Sequence, residues 1–106
     1  IECMEKDSKI KISEIRVDGG MVKNNSFLQS LANVSQIKII RPNNVETTSL
    51  GAAYLAAIQS GYLNSTSQIN KLWKKNKTVK ANISKSISIS NVRKWKLIIK
   101  AVNNFY

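Results

Sequence analysis

Residues 15–25, Ile15-Arg16-Val17-Asp18-Gly19-Gly20-Met21-Val22-Lys23-Asn24-Asn25, constrain this chain more than any other stretch. A short β-branched run stops at an acid and two adjacent glycines, and a helical period begins beyond them. That order reads as a strand, a tight turn and a helix start. Glycine has no Cβ, so such a turn lets a ligand approach backbone N–H groups directly. A phosphate or the flat face of a nucleotide is the usual guest. The same turn also serves as plain packing between a strand and a helix. These eleven residues alone do not separate the two.

A chain of 106 residues is long enough for one small domain. It opens on Ile1, and Ile1-Glu2-Cys3-Met4-Glu5-Lys6 reads as the last turns of a helix. The expectation is therefore a piece of a larger protein. The single cysteine, Cys3, allows no internal disulfide and suits a reducing compartment. Histidine is absent, which removes the commonest general base and the commonest zinc ligand. No apolar run reaches membrane-spanning length and no signal peptide is visible, so the expected setting is cytoplasmic, without a membrane partner.

The net charge of +11 is unevenly spread: residues 62–106 hold ten of the 17 Lys/Arg and none of the six acids. A nucleic-acid-binding segment would look like this. A drift toward AT-rich codons would too, since Lys, Asn and Ile are all far above ordinary usage. Basic RNA binders interleave exposed aromatics with their cations. Here Trp73 and Trp95 fall on apolar faces, which argues against nucleic acid as the partner.

In order, residues 1–8 end a helix, and Asp7-Ser8 break it. Ile10 and Ile12 alternate in one phase, Ile15 and Val17 in the other, so one strand cannot hold both pairs on one face. Either a bulge lies near Ser13-Glu14 or the strand is Glu14–Val17, and the second is preferred. Phe27, Leu28, Leu31 and Ala32 share a helix face that runs to about Asn33, with Asn24 or Asn25 near its N-cap. Gln36–Ile40 reads as a second strand, ended by Pro42, and the strand–helix–strand order fits a right-handed parallel crossover. Glu46-Thr47-Thr48-Ser49 opens the clearest helix, where Leu50, Ala53, Tyr54, Ala57 and Ile58 share a face and Gly61 is the stop. Its small residues, Gly51, Ala52, Ala53, Ala56 and Ala57, suit tight packing against a sheet or a flat ligand. Ile69, Leu72 and Trp73 mark a short helix. Lys74–Ser88 reads as irregular. Ser90 or Asn91 is expected to cap a last helix with Val92, Trp95, Ile98, Ile99 and Val102 in one stripe and Arg93, Lys94, Lys96 and Lys100 on the solvated side.

The first anchor, Arg16–Asn25, and the second, Glu46-Thr47-Thr48-Ser49-Leu50-Gly51-Ala52-Ala53-Tyr54-Leu55-Ala56, together closely resemble the C-terminal domain of the glycerol kinases. These belong to the FGGY carbohydrate kinases and share the actin-like ATPase, ribonuclease H-like fold. Met4–Ser8 sits where that family ends a helix, and Leu72-Trp73, Trp95 and Lys100-Ala101-Val102 resemble its closing segments. The resemblance implies an α/β fold of short strands and packed helices, with residues 1–106 forming part of one C-terminal domain and 62–106 its basic end. It also implies ATP as cofactor, with ATP or ADP bound partly by this chain. Gly19 would allow the turn, Gly20 would meet the nucleotide through its backbone, and Asn24 would hydrogen-bond it from the first helical turn. Asp18 would cap the glycine turn rather than touch magnesium, Glu46 would be a capping charge, and Gly51 and Ala52 would let their helix pack beneath the nucleotide pocket.

The catalytic aspartate, the magnesium site and the glycerol contacts would all lie upstream, so no catalytic and no metal residue is assigned here. A sibling kinase acting on a pentulose or aldonate is the alternative, and a homo-oligomer is open for the whole protein. The chain departs from the family pattern at Ser35, where a glycine usually ends the helix, at Val79 and Ala81, where an aromatic and a proline are usual, and at Ile98, where a small residue is common. None of these touches the two anchors, and lower stability is the expected consequence.

Overall fold

A computed structural model describes residues 1–104. Its elements are α1 (Glu2–Ser8), β1 (Glu14–Arg16), a 3-10 helix (Gly20–Lys23), α2 (Asn25–Ser35), β2 (Lys38–Pro42), α3 (Thr47–Gln59), α4 (Thr66–Leu72), β3 (Lys75–Val79) and α5 (Lys85–Asn103). The three strands form one sheet in the order β1-β2-β3.

β1 and β2 run parallel, Ile15 opposite Ile39 and Arg16 opposite Ile40, with α2 as the connection. Parallel neighbours need such a crossover, because a hairpin turn cannot reverse the chain twice. The Glu14–Lys38 pair sits in register and closes an ion pair of 2.9 Å. Ile10 is exposed and residues 9–13 form no strand, so β1 begins at Glu14, the preferred of the two alternatives that the opposed phases of the isoleucines left open. Helix α1 ends at Lys9 in the left-handed region, φ 58°.

The core lies between α2 and one face of the sheet. Val22, Leu28, Ala32, Ile39 and Val79 are buried there, with Ile15, Val17, Phe27, Leu31 and Val45 packed around them. Leu28 and Ala32 are the predicted inner positions of α2, and both are fully buried. Pro42 closes β2, at the point where its register with β3 slips. The left-handed residue that ends α2 is Gln36, φ 56°, rather than Ser35. Its side chain compensates by donating to Asn33 O at 2.8 Å.

Two expectations fail beyond Trp73. Lys75–Val79, read as irregular, is a strand pairing antiparallel with β2. Its sequence, KNKTV, carries little apolar signal; the open edge of β2 imposes the conformation, and Val79 pins it in the core. The last helix begins at Lys85 with Ser84 as its cap, six residues before Ser90, and the Ser84 hydroxyl accepts from Ile87 N at 3.4 Å. Ser88 explains the early start: it is buried and donates to Val34 O at 2.9 Å, docking α5 on α2. The stripe of Trp95, Ile98, Ile99 and Val102 is exposed along its length.

Helix α3 stops where expected. Gly61 takes φ 77°, donates to Ile58 O at 3.1 Å, and lets Leu63 N donate back to Ala57 O at 2.9 Å. No residue of α3 is fully buried, however, and Ala52, Ala53 and Ala56 face outward, so its small residues are not packed on the sheet among the described residues. Among the described residues no helix is long and apolar enough to cross a membrane.

Candidate functional site

The turn after β1 is built from the core upward. Val17 N donates to Ile40 O at 3.0 Å, so sheet pairing continues one residue past the strand. Gly19 then takes φ 84° and ψ 179°, a combination open essentially to glycine alone. Gly20 opens the 3-10 helix, and Val22 anchors that helix by burying its side chain in the core. Gly20 itself is exposed, and a Cβ placed on Gly19 or Gly20 would meet no atom within 4 Å. The result is a ledge of bare main chain above a packed base.

The two sequence anchors meet at this ledge. Gly19 N donates to Val45 O at 3.1 Å, and the Thr47 hydroxyl donates to Asp18 Oδ2. Asp18 therefore ties the ledge to the first turn of α3 and does not cap the glycine turn. Glu46 occupies the N-cap position of α3, but its carboxylate makes no capping bond; its own N–H is taken by Asn44 Oδ1 at 2.9 Å.

Asn24 is the N-cap of α2, the first of the two asparagines expected near that position. Its Oδ1 accepts from Ser26 N at 2.9 Å and Phe27 N at 3.2 Å. The same residue's Nδ2 donates to no described residue, and the side chain is exposed. Capping thus occupies the oxygen, orients the amide and leaves two N–H donors pointing at solvent.

Gly51 stands on α3, one turn beyond Thr47, whose hydroxyl bonds Asp18 at the ledge. With Arg16, Asn43, Tyr54 and Trp73 it lines a groove of about 230 Å³, where a Cβ on Gly51 would meet nothing within 4 Å. In the same groove the Arg16 guanidinium stacks over the Trp73 ring at 4.3 Å. Ala52 is exposed.

Two carboxylates have shifted acidity, both away from the ledge. The Ile12 N–H, donating to Glu5 at 2.8 Å, holds that carboxyl below the usual glutamate range, with Lys11 assisting. The hydrogen bond from Lys38, and Arg16 beside it, do the same for Glu14. Neither has the raised value that a general acid or base would need near neutrality. Among the described residues, no three His, Cys, Asp or Glu side chains gather as a metal site.

One residue at the ledge escaped the sequence reading. Arg41, on β2, donates through Nη1 to Val22 O at 2.9 Å, the underside of the ledge, and through Nε and Nη2 to Asn76 Oδ1 at 3.0 and 2.8 Å. A signal was present: Arg41 is one of only three arginines in a lysine-rich chain, and a fork is what lysine cannot supply.

Comparison with known proteins supplies the family and the fold. The family model described as the FGGY family of carbohydrate kinases, C-terminal domain, matches residues 1–60. A glycerol kinase of Deinococcus radiodurans is 40% identical over 96 residues, covering 91% of this chain and 19% of that protein. A glycerol kinase of Staphylococcus haemolyticus is 37% identical over 105 residues, covering 99% of this chain and 21% of that protein. The chain thus spans about a fifth of the curated relatives it matches. The crystal structure of Plasmodium falciparum glycerol kinase with ADP superposes with a TM-score of 0.79 at 24% identity, over 94% of this chain and 20% of that one, which establishes the α/β fold. The chain belongs to the FGGY family of carbohydrate kinases, whose C-terminal domain its residues 1–60 match.

Proposed function

We propose that the protein carrying this chain is an ATP-dependent glycerol kinase, transferring the terminal phosphoryl group of ATP to glycerol to give glycerol 3-phosphate. This segment supplies the adenosine side of the site. The bare main chain at Gly19-Gly20, beside the free amide of Asn24, is the observation that carries the reading. Gly20 meets the nucleotide through its backbone, and Asn24 Nδ2 donates to it while Oδ1 stays committed to the α2 cap. The choice of glycerol rests on the relatives, which are glycerol kinases by name.

Phosphoryl transfer needs positioned phosphates, magnesium and a base for the attacking hydroxyl. Asp18, the acid nearest the ledge, is engaged by Thr47 and is not that base. The base, the metal site and the glycerol contacts belong to residues outside this chain, and so does the phosphate loop. A cytoplasmic setting goes with this reading.

The test is steady-state kinetics on the full-length protein. Glycerol-dependent ATP turnover is expected, and Asn24→Ala should raise the KM for ATP while leaving that for glycerol in place. Turnover with a pentulose in preference to glycerol would replace the substrate, and an unmoved ATP KM would remove Asn24 from the site.

A further inference from the structure

The ledge is held at three points. Gly19 N is fixed by Val45, the Val22 side chain is fixed by the core, and the last carbonyls of the 3-10 helix are fixed by Arg41. The first two set where the ledge begins and how high it stands. The third sets the angle between Gly20 and Asn24, because Arg41 grips the segment joining them: Val22 O at 2.9 Å and Lys23 O at 3.4 Å. Arg41 is itself clamped from its other edge, Nε and Nη2 converging on Asn76 Oδ1. Asn76 stands on β3, and its amide reaches on to Asn43 Oδ1 at 3.3 Å. A planar five-donor fork bridging two partners at once fixes both, where a lysine would hold only one.

We propose that Arg41, locked by Asn76, is a positioning residue for nucleotide binding: it sets the Gly20–Asn24 spacing that ATP reads. The inference rests on the nucleotide reading of the ledge and goes beyond it, since that reading puts only the Gly19-Gly20 turn and Asn24 against the nucleotide. It also gives the antiparallel strand a task. β3 brings the acceptor that orients the arginine, which in turn orients the ledge. Arg41 donates and Asn76 accepts, so neither bond depends on a group that titrates near neutrality.

Kinetics on the full-length enzyme test this. Arg41→Gln should raise the KM for ATP by about tenfold or more, the scale of a small misplacement of binding groups, with the KM for glycerol unchanged. Arg41→Lys, which keeps the charge but not the fork, should fall between. Asn76→Ala should move the ATP KM in the same direction and add nothing further when combined with Arg41→Gln. General damage to the fold would shift both KM values or the melting temperature alone and would overturn the proposal. So would an ATP KM that stays at the wild-type value in Arg41→Gln and Asn76→Ala. Asn24→Ala separates the two claims. If it raises the ATP KM and Arg41→Gln does not, only the positioning role fails; if neither does, the nucleotide reading of the ledge fails with it.

Discussion

Gly19 and Gly20 are neighbours with opposite requirements. Gly19 needs its missing Cβ for conformation, since φ 84° with ψ 179° excludes other residues. Gly20 has no positive φ and open space where a Cβ would stand, so the fold makes no demand for glycine there. Gly19→Ala should therefore cost about 1–3 kcal/mol in unfolding free energy. Gly20→Ala should leave stability the same or raise it by up to about 1 kcal/mol, through the unfolded state. If the ledge carries the nucleotide, Gly20→Ala should nonetheless weaken ADP binding by titration, a loss of affinity without a loss of stability. Acid titration makes a second prediction at this scale. Glu5 and Glu14 are both held below their ordinary value by hydrogen bonds made in the folded chain. Their contribution to stability is complete above the unfolded glutamate value, about 4.3, and is lost as pH falls through the lower folded values. Glu14→Gln should flatten the fall in melting temperature between neutral pH and pH 3.

At the scale of elements, the chain shows why some were readable in advance and others were not. α2 and α3 announce themselves by apolar spacing and by their ends, Asn24 and Gly61, because those signals act within one turn of the chain. β3 has no comparable local signal, and the Ser84 cap of α5 is one serine among four in the stretch 84–90. Lys75–Val79 becomes a strand because β2 leaves an edge to pair with, and Ser84–Ser88 becomes helical because Ser84 caps and Ser88 docks. Ser84→Ala should cost about 1 kcal/mol and fray the start of α5, measurable as faster amide exchange at Ser86 and Ile87. The linker between β3 and α5 is fastened to α2 by side-chain amides: Gln29 Nε2 donates to Lys80 O at 2.9 Å, and Asn33 Oδ1 accepts from Asn82 N at 2.9 Å. The asparagine-rich bias of the sequence is put to structural use here.

For the whole molecule, the radius of gyration is 18.1 Å, against roughly 13 Å for a compact domain of this length. The long dimension, 55 Å, goes with apolar side chains left open on α3 and α5, Leu55, Trp95, Ile98 and Ile99 among them. Surface of this kind needs covering. On the proposed reading the ledge and the Asn24 amide are only the adenosine side of a site whose base and phosphate loop belong to residues outside this chain. The 106-residue chain on its own should thus show no glycerol-dependent ATP turnover, and its ADP affinity by calorimetry should be weaker than micromolar. Tighter binding would mean that the ledge suffices without the rest of the enzyme.

Local conformational preference and short-range capping determined a good part of this protein from the sequence alone. The strand that ends short of Asp18, the glycine that must follow, the helix capped by Asn24 and the stop at Gly61 all depend on residues within a few positions of one another. What only the tertiary structure decided involves partners far apart in the chain: Asp18 with Thr47, Ser88 with Val34, and Arg41 between Val22 and Asn76. Hydrogen bonds of that kind depend on where folding places two distant groups. Side-chain periodicity, which reports which way a residue faces, carries no record of what it will meet.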